Sequence, residues 1–203
     1  MLHQMLTKQQ IRKNILSLRE QLRPDERTAH NAAITERLLQ MPEYRDASAV
    51  LGYMNFGSEF ASDVWIARVL KDGKRLALPR VNRHTNRLDL YWVDDPEIQL
   101  APGLWGIREP VIERCERLNT INEVEFVLMP GIAFSRNGAR LGYGGGFYDK
   151  LLASCAAPRP ILAVAAYGLQ IVAPLPQEAT DVRVDWIITE SETIDCGVML
   201  QQF

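Results

Sequence analysis

The stretch Asn137-Gly138-Ala139-Arg140-Leu141-Gly142-Tyr143-Gly144-Gly145-Gly146-Phe147-Tyr148-Asp149-Lys150 constrains the fold of this chain more than any other. Five of the thirteen glycines fall between Gly138 and Gly146. Glycine costs backbone entropy, so such a cluster implies left-handed backbone or close approach to a ligand. The apolar run Phe126-Val127-Leu128-Met129 precedes it, and a helix-like run from Tyr148 to Ala153 follows. Strand, glycine loop and helix N-terminus in that order present unpaired N–H groups to an anion. The loop has no Gly-Lys-Ser/Thr ending, and Phe147 stands where Gly-x-Gly-x-x-Gly needs its third glycine. A tight turn that simply needs glycines is the plainer reading. Arg140, a planar fork suited to phosphate, and Asp149, a hard oxygen donor suited to Mg²⁺, favour a ligand. An acid in a first helical turn also stabilises the dipole, so Asp149 alone decides nothing.

The rest of the chain alternates strands and helices. Thr7-Lys8-Gln9-Gln10 reads as a capping box, and Ile11, Ile15, Leu18 and Leu22 then recur at helical spacing. Lys8, Arg12 and Arg19 run beside that stripe, either as a solvated basic face or as a cationic edge against a phosphate site. Pro24-Asp25-Glu26 opens a second helix, expected to end near Leu39. Strands are expected over 47–53, 75–79, 88–93, 124–129, 160–166 and 185–189, with a helix capped by Ser62 running to Leu70. The alternation predicts an α/β fold: a single domain over residues 1–203, with a mostly parallel sheet flanked by helices in a Rossmann-like three-layer arrangement. Ligands gather at the carboxyl ends of strands in such sheets, which singles out the loops after Tyr53, Met129 and Ala166.

Composition excludes several classes. A net charge of −2 argues against generic nucleic-acid binding, which needs an excess of basic groups. No apolar stretch is long enough to span a bilayer, and the first seven residues lack a signal-like apolar run. Cys115, Cys155 and Cys196 are odd in number and widely spaced, which fits neither a disulfide framework nor a zinc site. A cytoplasmic protein is the expectation. His3, His30 and His84 stand near no obvious partner.

The motif Arg140-Leu141-Gly142-x-Gly144-x-Gly146-Phe147-Tyr148-Asp149, with Met129-Pro130-Gly131-x-Ala133-Phe134 and Asn137-Gly138 before it, resembles the signature of the 5-formyltetrahydrofolate cyclo-ligase family. Weaker similarities follow in the family's order: Lys8-x-x-x-Arg12, Met54 through Glu59, Leu78-Pro79-Arg80, Trp105-Gly106-Ile107-x-Glu109-Pro110 and Val184-Asp185. Together they span residues 8 to 190, approximately. The resemblance implies ATP- and Mg²⁺-dependent closure of 5-formyltetrahydrofolate to 5,10-methenyltetrahydrofolate. It implies Arg140 and Asp149 as catalytic groups. Lys8, Arg12, Arg140, Leu141, Gly142, Tyr143, Gly144, Gly145, Gly146, Phe147 and Tyr148 would meet the nucleotide. Met54, Phe56, Glu59, Trp105 and Tyr148 would meet the folate, and Asp149 and Asp185 the metal. The implied partners are small molecules, ATP and a folate with or without a polyglutamate tail, with no nucleic acid or membrane, and the chain is expected to work as a monomer.

Two positions depart from the family pattern. Gly145 stands where some members carry lysine, and Tyr143 where others carry arginine or methionine. Other readings of the residues are a phosphate-handling enzyme on a related scaffold, such as a sugar-phosphate isomerase, and a folate- or nucleotide-sensing module without turnover.

Overall fold

The computed structural model describes residues 6–178 and 180–197. Helix α1 (Lys8–Gln21) starts at the expected capping box: the Thr7 hydroxyl accepts the Gln10 N–H, and the Gln10 side chain accepts the Thr7 N–H. Helices α2 (Pro24–Gln40) and α3 (Pro42–Asp46) follow, each with proline in its first turn. Strand β1 (Ala49–Leu51) leads through a loop to α4 (Ser62–Lys71) and β2 (Arg75–Asn82), which folds back as β3 (Arg87–Trp92). The connection from Asp95 to Pro110 holds a short helix, α5 (Pro96–Gln99), and a hairpin of β4 (Leu100–Pro102) and β5 (Arg108–Pro110). After β6 (Arg117–Leu118) come β7 (Phe126–Met129), the hairpin β8 (Ala133–Phe134) and β9 (Arg140–Leu141), and α6 (Phe147–Leu152). The chain closes with β10 (Ile161–Ala165), β11 (Trp186–Ile188) and β12 (Thr193–Asp195).

Eight strands form one sheet in the order β12-β11-β10-β7-β1-β2-β3-β6. The five central strands, β11 to β2, are parallel, whereas β12 and β3 run antiparallel to them at the edges, and β6 pairs antiparallel to β3. The expected single-domain α/β fold with a mostly parallel sheet is therefore present. From β1 the chain builds outward to β2, then returns to place β7 on the other side of β1. The order reverses between β1 and β7, and a crevice at their carboxyl ends is where such sheets bind ligands.

Helices cover both faces. Ile34 and Leu38 of α2 and Trp65, Ile66 and Val69 of α4 pack on one face against Val50, Leu76, Phe126 and Leu128. Tyr148 and Leu152 of α6 pack on the other with Leu51, Val127, Met129 and Val164. Helix α1 lies on neither; Ile11 and Ile15 pack on Ile132, Ala133, Ala139 and Leu141 of the β8–β9 hairpin. Burying each isoleucine there contributes about 1.5–3 kcal/mol, and it holds the basic edge of α1 against the glycine loop.

Two local expectations change. Ser62 is the first residue of α4, not its cap; Ala61 holds that position. The Ser62 hydroxyl instead donates to the Tyr53 carbonyl and accepts the Asn55 N–H, pinning the loop after β1. Leu18, placed by periodicity in the apolar stripe of α1, is 46% exposed, and Arg19 is buried in its stead.

Candidate active site

The site is built from the loop after β1 (52–61), the glycine loop after β9 (142–146) and the basic edge of α1. Gly144 and Gly146 have φ of +106° and +62°, values that disfavour a side chain. Among the described residues, no protein acceptor takes the backbone N–H of any residue from Gly142 to Gly146. The loop stays open at Tyr143, Gly144 and Gly145, which are exposed. Arg12 Nε donates to the Gly142 carbonyl at 2.8 Å, and its guanidinium lies just beyond the Gly144 Cα. Lys8 reaches the same side of the molecule but is held by Glu178 Oε1 at 2.9 Å and Asp181 Oδ2 at 3.0 Å. These two bonds, set against a modest cost of burial, raise the Lys8 ammonium above its usual range. Lys150 donates to the Gly145 carbonyl and to the Asn86 carbonyl.

Arg140 lies under the loop with its side chain 5% exposed. Its Nη2 donates to both oxygens of Asp149 at 3.0 Å, and Nη1 donates to the Pro130 carbonyl at 3.3 Å. Its Nε is buried with no partner, spare donor capacity that buried guanidinium groups rarely carry. Asp149 also accepts the Val182 N–H at 3.2 Å. The Tyr148 ring lies 5.9 Å from the Arg140 guanidinium, and its hydroxyl is buried and unpartnered. Burial, opposed by the Arg140 charge, raises the Tyr148 phenol, so this hydroxyl is a donor throughout the neutral range.

Glu59 is 6% exposed. Its Oε2 accepts the Phe56 N–H and its Oε1 the Tyr143 hydroxyl, each at 2.7 Å. Burial pushes the carboxyl up, while the Tyr143 and Phe56 hydrogen bonds and the Arg19 charge pull it back. Phe56 is 44% exposed beside it. Met54 is partly buried against the core. Trp105 sits at the turn of the β4–β5 hairpin, 64% exposed and with φ of +59°, an uncommon backbone for a bulky residue. It makes no hydrogen bond or ring contact with the other site residues among those described. Its hairpin is fastened to the carboxyl half of β2 by Arg80 Nη1 to the Pro110 carbonyl and Val81 N–H to Glu109.

Asp185 is placed differently from Asp149. It precedes β11 at the amino end of the parallel strands, where Arg159 grips both its oxygens at 2.6 and 2.7 Å and the Leu162 N–H adds a third bond. No group of three or more His, Cys, Asp or Glu among the described residues forms a ready metal cage. His30 and His84 lie outside the site, and His3 lies outside the described residues.

Sequence reasoning missed the part played by Arg19. Its Nε donates to Ser58 Oγ at 3.2 Å, Nη2 to the Tyr143 oxygen at 3.2 Å and Nη1 toward the Gly131 carbonyl at 3.5 Å. The signal was present, because Arg19 continues the line of Lys8 and Arg12. Nothing local marked it as the buried member.

The profile of the 5-formyltetrahydrofolate cyclo-ligase family matches residues 4–190. The chain belongs to this family. It is 30% identical over 175 residues to the 5-formyltetrahydrofolate cyclo-ligase of Haemophilus influenzae, covering 86% of this chain and 93% of that one. A probable 5-formyltetrahydrofolate cyclo-ligase of Caenorhabditis elegans is 27% identical and covers 92% and 94%. The solved structure of Aquifex aeolicus 5,10-methenyltetrahydrofolate synthetase superposes with a TM-score of 0.81 at 33% identity, covering 94% and 93% of the two chains. Family membership makes the chain an enzyme, a ligase of folate metabolism. None of its described helices is long and apolar enough to cross a membrane.

Proposed function

We propose that the chain closes 5-formyltetrahydrofolate to 5,10-methenyltetrahydrofolate, consuming ATP with Mg²⁺ and releasing ADP and phosphate. The observation that carries this reading is the position of buried Glu59 within hydrogen-bond reach of the glycine loop, at the β1–β7 switch point. One side of the crevice then suits an anion and the other a flat ring with paired N–H donors.

A formamide oxygen is a poor leaving group. Its attack on the γ-phosphorus expels ADP and leaves a phosphorylated formyl group. The N10 amine then adds to the formyl carbon, and loss of its proton and of phosphate closes the ring. Transfer of this kind depends on positioning and charge neutralisation more than on a protein nucleophile. The free N–H groups of the loop, Arg12 and Arg140 bind phosphate oxygens, with Lys8 joining once an anion competes with Glu178 and Asp181. Glu59 accepts N–H donors from the pterin edge, and Phe56, Met54 and Trp105 supply apolar cover. The Tyr148 hydroxyl, buried without a partner beside Arg140, keeps its proton to donate.

The donor set fits a hard divalent cation once a phosphate draws Arg140 off Asp149: the carboxylate lies beside the loop, and one or two carboxylates plus phosphates are the usual Mg²⁺ shell. Bound there, Mg²⁺ supplies charge neutralisation across the phosphates. Asp185, at the amino end of the strands and gripped by Arg159, stands apart from that donor set. Three free thiols suit a reducing cytoplasm.

Mixing the protein with 5-formyltetrahydrofolate, ATP and Mg²⁺ should produce the near-ultraviolet absorbance of the conjugated methenyl product. The signal should require both ATP and metal and vanish in Asp149→Ala. Folate binding without that chromophore would indicate a sensing module, and absence of folate binding would reopen other phosphate chemistry.

A further inference from the structure

Glu59 depends on a donor from the opposite half of the site. Phe56, which fills its Oε2, belongs to the same loop, but Tyr143, which fills Oε1, belongs to the glycine loop 84 residues away. The Tyr143 oxygen accepts from Arg19, and Arg19 also holds Ser58, the neighbour of Glu59. Arg19 is 2% exposed, and a guanidinium that deeply buried is tolerated only when its donors are used. Its bonds therefore tie α1, the loop after β1 and the glycine loop into one network. Each carboxylate oxygen accepts two hydrogen bonds. With Phe56 and Tyr143 fixing its plane, Glu59 keeps one lone pair on each oxygen for a pair of parallel ligand donors.

We propose that Tyr143, held by Arg19, is a positioning residue that couples the two halves of the site. An anion that orders the glycine loop sets Tyr143, Tyr143 sets Glu59, and nucleotide and folate therefore tighten each other's binding. This rests on the reading above, that phosphates occupy the loop and the folate ring lies on Glu59. Coupling of this kind is reciprocal by linkage. Tyr143→Phe tests it well, because the side chain is 45% exposed and the change removes only the hydroxyl.

The experiment is a calorimetric titration of 5-formyltetrahydrofolate into native protein and Tyr143→Phe, each with and without Mg²⁺ and a non-hydrolysable ATP analogue. In the native protein the analogue should tighten folate binding about 5-fold or more, and in Tyr143→Phe by less than about 2-fold. Both proteins should still bind each ligand alone. The acid limb of folate binding should also move to higher pH in the variant, since the hydroxyl bond that lowers the Glu59 carboxyl is gone. The other titratable groups facing Glu59, namely Arg19, Tyr53 and Tyr148, remain in the variant, and Arg19 loses only its bond to the Tyr143 oxygen while keeping those to Ser58 and the Gly131 carbonyl. Equal tightening in both proteins, no tightening in the native one, or an unmoved acid limb would overturn the coupling while leaving the functional reading intact. A native protein that binds no folate would overturn both.

Discussion

Two arginine–aspartate pairs, Arg140–Asp149 and Arg159–Asp185, use the same groups for different ends. In the second, two guanidinium nitrogens meet two carboxylate oxygens, and the Leu162 N–H adds a third bond. The fork is matched, the side chains are 43% and 30% exposed, and the pair ties the segment before β10 to the start of β11. In the first, one nitrogen serves both carboxylate oxygens, the arginine is 5% exposed, and its Nε is buried without an acceptor. Burial without full satisfaction costs stability, so the pair beside the loop carries capacity that its fold does not use.

Replacing each arginine by lysine probes that difference most strongly. A point charge cannot reproduce the fork, and Arg140→Lys should lower turnover about 100-fold or more, the usual effect of losing one aimed donor. Arg159→Lys should leave kcat/KM close to native, and equal losses at both sites would break the comparison.

The two aspartates sharpen it. Asp149→Asn should raise the Mg²⁺ concentration for half-maximal turnover about 10-fold or more, and Asp185→Asn by less. A larger shift at Asp185, read from a metal titration of activity, would mean that Arg159 releases it in the working enzyme.

Glu59 extends the contrast to pH. Burial raises its carboxyl above the ordinary value of 4.5 despite the Tyr143 and Phe56 bonds. Between that value and the raised one the folded state holds more protons than the unfolded state. Its contribution to stability is therefore complete below 4.5 and declines as pH rises through the raised value. Glu59→Gln should lose folate binding yet gain in Tm relative to native as pH climbs from acid toward neutral. A pH-independent Tm difference would refute the assignment.

The smallest effect belongs to the matched pair. Arg159→Ala should cost about 0–1 kcal/mol in denaturant unfolding, as for other partly exposed ion pairs. A loss several times larger would show that the amino end of the sheet is also under load.

Much of the fold was readable because it follows from local periodicity. The capping box at Thr7, proline at the start of α2, the buried run of β7 and the glycine loop each depend on neighbours within a few residues. The antiparallel edges were not readable in the same way: the strand over 88–93 was expected but not its direction, and β6, two residues long, carries too little periodicity to be seen before its pairing is known. Leu18 and Arg19 show the limit most clearly. Helical spacing alone favours the leucine inside, but only the tertiary fold supplies Ser58 and Tyr143 as partners that let an arginine take its place.

The candidate site divides along the same line. By itself the sequence determined that a glycine loop after a strand would expose backbone N–H groups, with Arg140 just before it and Asp149 just after it. It also carried the family's motifs in order, from Lys8 to Asp185. Only the tertiary structure decided that Tyr143 meets Glu59, that Lys8 is held by Glu178 and Asp181, and that Asp185 faces Arg159. The reason is physical. Backbone conformation is governed by contacts a few residues apart, whereas a charged side chain takes whichever partner the parallel crossovers bring within about 3 Å.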